Sequence, residues 1–202
     1  DKSILTLPAD PEDDDDYQKH CRASEQKGEA REIRLNEFCN GNKFLKPFYA
    51  KYTFEVDFLM NGNSHEFVYC LDKIYSREAN IIKAIDKLED KSVEVAGVEV
   101  LKIADKYGKG WLALLVSEQL GYNTYIPKYI LKAIAFASNH INLSSKAKAV
   151  IYRLKSIRGN DKDALYEEAR KLKVMGKTQE ELLTTFTDTF KDDQLTKFLA
   201  LI

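Results

Sequence analysis

The stretch KPFYAKYTFEVDFLM, residues 46–60, decides how the chain is read. It is rich in aromatic and β-branched residues, and Phe54, Val56 and Phe58 alternate with Glu55 and Asp57 in the period of a strand. In an extended strand, side chains two apart share a face, so Glu55 and Asp57 would converge on one point. Two like charges brought together beside apolar residues call for a positive compensator, and a hard divalent cation such as Mg²⁺ takes carboxylate oxygens. The alternative is an edge strand whose acids face water while the three apolar residues face the core.

Upstream, residues 2–8 read as a short buried strand centred on Ile4-Leu5-Thr6-Leu7 and ending at Pro8. Such a strand needs neighbours, so the chain is expected to be a C-terminal fragment whose partner strands precede it. An acidic run occupies 10–16, in which Asp10 directly succeeds the strand and Glu12 and Asp13 stay within loop reach. Asp14, Asp15 and Asp16 read as a solvated charge run suited to the N-terminal end of a helix starting near Tyr17. Residues 17–30 form that helix, 30–35 a second strand or a loop entering one, and 36–44 a turn-rich segment.

Downstream, Asn61-Gly62-Asn63-Ser64 stops the extended run, with Ser64 as a helix N-cap. Phe67, Cys70, Leu71, Ile74, Ala79, Ile82, Ile85 and Leu88 then recur at helical spacing. Residues 91–110 carry both patterns, since VEVAGVEV alternates while the residues after it have a helical pattern. Helices are predicted over 111–121 with Gly121 closing it, 128–138 after Pro127, 144–157, 161–175 with Gly176 closing it, 178–190 and 192–202. The order of elements predicts an α/β fold: a Rossmann-like core with a mostly α-helical C-terminal half. Its expected parts are residues 1–63 in the α/β core, 64–140 in a helical region completing it, and 141–202 in a helical extension.

Bulk composition narrows little. Lys+Arg number 31 against 32 Asp+Glu, so no partner follows from net charge, and contact with nucleic acid would need a local basic surface. One such surface is the helix carrying Lys146, Lys148, Arg153, Lys155 and Arg158, whose other reading is a solvated face. Cys21, Cys39 and Cys70 have no metal-ligand spacing, and so sparse a set fits a reducing, cytoplasmic setting. No apolar run is long enough to span a bilayer.

Lys109 sits in Tyr107-Gly108-Lys109-Gly110-Trp111 at a helix start, where its charge opposes the dipole. It reads either as a surface lysine in a turn or as a group offsetting an anion such as a phosphate. Taken in order, the Asp-rich loop, Thr53-Phe54-Glu55-Val56-Asp57-Phe58, Gly108-Lys109-Gly110-Trp111-Leu112-Ala113 and Ile126-Pro127-Lys128-Tyr129-Ile130 resemble the Toprim nuclease region of the OLD (overcoming lysogenization defect) family. These are ATPase–nucleases that include the Gabija-type antiphage proteins, and the resemblance covers roughly residues 2–138.

The resemblance implies a Toprim-like core and a metal-dependent DNA endonuclease in phage defence. Two Mg²⁺ or Mn²⁺ ions would be held by Asp10, Glu12, Asp13, Glu55 and Asp57, with Asp10, Glu55 and Lys109 catalytic. The implied partners are DNA, an ATPase domain in the same longer protein, and further copies in a homo-oligomer. The chain departs from the family pattern in two places. The loop reads Thr6-Leu7-Pro8-Ala9-Asp10 where the family has T-D-x-D, and neither E-G-x-x-E nor a phosphate-binding G-x-x-x-x-G-K-[ST] occurs. The competing expectation is a non-catalytic module, a degenerate Toprim core with a helical C-terminus, for protein–protein interaction or oligomerisation, with an exposed apolar face on 178–202.

Overall fold

The computed structural model describes residues 4–138, 141–159 and 165–202. Among them there is no strand, and the fold is all-α. The expected Toprim-like α/β core is therefore corrected at each of its strands. Residues 4–8 are irregular, with Ile4 buried, while residues 2–3 lie outside the described set. The second expected strand, 30–35, belongs to α1, one helix running Asp16–Cys39. Its run of Arg, Glu, Leu and Ala favours helix strongly enough that Gly28 is carried through.

The third expected strand is irregular up to Tyr52 and then becomes helix α2, Phe54–Met60. Its local chemistry is that of a helix start. The Thr53 hydroxyl accepts from the Val56 amide, and Glu55 and Asp57 lie in the first turn, where negative charge suits the dipole. Val56 and Leu59, three apart, are both buried, which only a helix permits here.

Beyond α2 come α3 (Ser64–Val68), α4 (Leu71–Ile74) and α5 (Glu78–Leu88). The N-cap position of α3 is Asn63, so Ser64 is its first helical residue and not its cap. The alternating VEVAGVEV folds as a π-helical turn, Val93–Gly97, continuing into α6, Val98–Tyr107. Ala96, Val100, Ile103 and Ala104 are buried along one side of it. Next are α7 (Lys109–Ser117) and α8 (Lys128–Ala137), then α9 (Leu143–Arg158), α10 (Tyr166–Lys171), α11 (Gln179–Thr189) and α12 (Gln194–Leu199). Of the helix expected over 161–175, residues 161–164 fall outside the described set, and α10 ends well before Gly176.

The chain divides into two compact units, Asp1–Tyr129 and Ile130–Ile202. In the first, α2 packs on the π-helical turn and α6. Its core joins Val56, Leu59, Phe67, Leu71, Leu88, Val100, Ile103 and Leu112. In the second, α10, α11 and α12 pack against α9, burying Val150, Leu154 and Ile157 along with Leu172, Leu182, Phe186 and Phe190.

Candidate functional site

The residues singled out from the sequence have separate fates. Asp10 caps a short 3-10 turn, Pro11–Asp13, its carboxylate accepting from the Glu12 amide at 2.9 Å, and Glu12 and Asp13 are exposed. Asp14, expected to be solvated, is instead buried and bonded by the Arg22 guanidinium at 2.6 and 2.9 Å. The Arg22 hydrogen bond holds its carboxyl below the usual carboxylate range. Asp15 forms a capping box with Gln18 at the start of α1, as a helix beginning near Tyr17 requires.

On α2, successive residues turn by about 100°, so Glu55 and Asp57 point to opposite sides instead of converging. The Asp57 carboxylate accepts from the main-chain amides of Lys51 (2.6 Å) and Tyr52 (3.2 Å) and so anchors the chain entering α2. Glu55 faces Lys109, with 3.8 Å between its oxygen and the ammonium nitrogen. Lys109 is the first residue of α7, and Gly108 before it has φ +90°, a conformation that favours glycine. That sharp turn between α6 and α7 aims the lysine back at α2.

The pair is loose. At 3.8 Å the groups attract without a hydrogen bond, and among the described residues neither donates nor accepts one elsewhere. The Glu55 side chain is 16% exposed and that of Lys109 54%. The carboxylate therefore sits in a sheltered position while the ammonium reaches solvent. Tyr129 was not singled out as a site residue, although it lies in the Ile-Pro segment. Burial pushes its phenol up, and the charges of Asp57 and Glu55 push it the same way. It stays protonated within their field.

The five acids expected to share two metal ions are not brought together. Among the described residues no group of three or more His, Cys, Asp or Glu side chains is placed to hold a metal ion. The residues present do not fit that ligand set, and no chemical step is routed through a metal here. What the fold does assemble is a carboxylate, an ammonium with uncommitted donors, and a protonated phenol near both acids. A base beside a cation suits attack of water on an anionic ester.

On the basic face of α9, Lys148 and Lys155 are exposed, and the other three cations have partners within the unit. Arg153 bonds the buried Asp193 at 2.7 Å, Lys146 donates to the Ile202 carbonyl at 3.1 Å, and Arg158 donates to the carbonyls of Ala169 and Leu172. No helix among the described residues is long and apolar enough to cross a membrane. Comparison with known protein families, with characterised proteins and with solved structures finds no match to this chain.

Proposed function

We propose that the chain hydrolyses DNA phosphodiesters, with Glu55 and Lys109 at the reacting phosphate. The meeting of these two residues supports it. They come from different sequence motifs, and the fold brings them to 3.8 Å. Glu55 takes the proton of the attacking water, whose oxygen bonds to phosphorus as the bridging P–O bond breaks and the leaving oxygen takes a proton from solvent. Lys109 neutralises the charge that grows on the non-bridging oxygens, its donors not being spent on Glu55. Asp57 is a positioning group in this reading, since it holds the segment before α2.

Nicking of supercoiled plasmid by the purified chain, with Mg²⁺ or Mn²⁺ and in chelator, tests the reading. Glu55→Gln and Lys109→Gln are each expected to slow nicking by about 100-fold or more at unchanged melting temperature. Undiminished nicking by either variant overturns the assignment.

A second reading, a non-catalytic helical module for protein–protein interaction, rests on one observation. Helix α1 buries no residue over its whole length, and Ile33 and Phe38 on it and Phe44 in the turn beyond it are 58%, 75% and 77% exposed. The apolar face of 178–202 does not serve that reading, because Leu182, Phe186 and Phe190 are turned into the second unit's core. A chain that nicks no DNA yet sediments as a complex abolished by Phe38→Ser and Phe44→Ser would favour it.

A further inference from the structure

We propose that the outer stripe of α9, made of Lys148, Tyr152 and Lys155, holds single-stranded DNA, with phosphates on the lysines and an unpaired base on the tyrosine ring. The choice of DNA rests on the reading that the chain acts on it. Helix α9 has five cations and no Asp or Glu over its 16 residues. Ala147, Val150, Leu154 and Ile157 are buried on one side of it, where α10, α11 and α12 pack. Lys148, Tyr152 and Lys155 are exposed on the opposite side, at steps of four and three. Those steps put them within about 60° of one another around the helix and spread them over about 10 Å along it.

The charge of this stripe is not cancelled within the unit. Neither Lys148 nor Lys155 makes an ion pair among the described residues. Arg158 flanks them and donates to the carbonyls of Ala169 and Leu172, which are neutral and leave its positive charge standing. Arg153 is paired with Asp193 and adds nothing to it. Lys171, Lys173 and Lys177 are also exposed, but they share their grooves beside α10 and α11 with Glu168, Glu180 and Glu181. Those grooves are mixed in sign, whereas α9 offers cations alone, which suits a polyanion.

Tyr152 makes the stripe more than a charged surface. It is 75% exposed, and among the described residues its ring meets no other ring and no cation. It adds little to the unit's core, and both faces of the ring are open to a ligand. A base inside a duplex is stacked on its neighbours and cannot lie on such a ring. An unpaired base can, and lysines on either side then meet the phosphates that flank it. Lysine acts as a point charge for phosphate, and every base has a face to stack, so the stripe favours a single strand without reading its sequence.

Fluorescence anisotropy of a labelled oligothymidylate, titrated with the whole chain in EDTA at several salt concentrations, tests this, with a duplex of the same length beside it. Wild type is expected to bind the single strand more tightly than the duplex. Tyr152→Ser should weaken that binding by at least about fivefold at unchanged salt dependence, the loss of one stacked base, and Tyr152→Phe should restore it. Lys148→Gln, Lys155→Gln should instead flatten the log–log salt dependence by about 1.4, near 0.7 for each phosphate no longer neutralised. The control Lys171→Gln, Lys173→Gln, Lys177→Gln should behave as wild type. The stripe is overturned if wild type binds no single strand or prefers the duplex, if Tyr152→Ser or the α9 lysine variant keeps wild-type binding, or if the control weakens binding equally. Nicking separates this from the cleavage reading. Binding that depends on Tyr152 in a chain that never nicks leaves the stripe standing without the chemistry. Binding untouched by the α9 variants, with nicking lost in Glu55→Gln, leaves the chemistry without the stripe.

Discussion

Asn63 is fully buried, and its amide makes three hydrogen bonds to main-chain groups. It donates to the carbonyls of Phe58 (2.9 Å) and Tyr125 (2.7 Å) and accepts from the Tyr125 amide (2.7 Å). It thereby ties the end of α2 to the segment around Tyr125. Asn63→Leu keeps the volume but strands those main-chain groups, and should cost about 1–3 kcal/mol or more in urea unfolding. Asp14 and Arg22 offer a different readout. Because the Arg22 hydrogen bond depresses the folded carboxyl, the pair's contribution is complete above the ordinary carboxylate range and is lost as pH falls through the depressed value. Melting temperature measured from pH 6 down toward 2.5 should show this loss in wild type and less of it in Arg22→Gln. Burial of Asp14 was not legible, since nothing in a run of like residues marks which one meets an arginine eight positions on.

At the scale of elements, legibility depended on the length of the pattern. The helices α5, α8 and α11 show apolar residues at steps of three and four over two or more turns, and they form where that spacing puts them. FEVDF is only five residues long, and strand alternation and a helix burying Val56 and Leu59 both satisfy it. The tie is broken by the Thr53 cap, the acids in the first turn and the absence, among the described residues, of neighbouring strands to pair with. VEVAGVEV carried both patterns in the same way, and Gly97 shows what settled it. A Cβ there would meet Val93 Cγ2 at 3.2 Å and Val56 Cγ1 at 3.3 Å, so the glycine lets the π-helical turn close on α2. Gly97→Ala needs only small shifts of two side-chain methyls and gains helix propensity, so it should be near neutral. Gly97→Leu overfills the space and should cost about 1–3 kcal/mol by denaturant unfolding. At the site, Glu55 and Lys109 were both legible as chemistry, but their meeting depended on the turn at Gly108. The five-acid metal set came from the family resemblance, and the convergence of Glu55 with Asp57 was the part that depended on the strand reading.

At the scale of the whole molecule, the chain is two units with separate cores, Asp1–Tyr129 and Ile130–Ile202. The second is small for a domain, and its stability depends on few buried side chains. Phe186 is the largest of them, fully buried on α11 and tilted against Phe190 with ring centroids 5.0 Å apart. Phe186→Ala removes its transfer energy and leaves a cavity, at a cost of about 3–5 kcal/mol. That is a large fraction of what a domain of this size holds. Leu71, fully buried in the first unit, is the matching probe there. If the cores are independent, calorimetry of Phe186→Ala will show one transition moved sharply down and the other unmoved, and Leu71→Ala will show the reverse. A single transition that shifts as a whole in both variants would instead mean that the two cores melt together. In the separated case Phe186→Ala also carries a functional reading. Just above its lowered transition, nicking dependent on Glu55 should persist, because Glu55 and Lys109 both lie in the first unit.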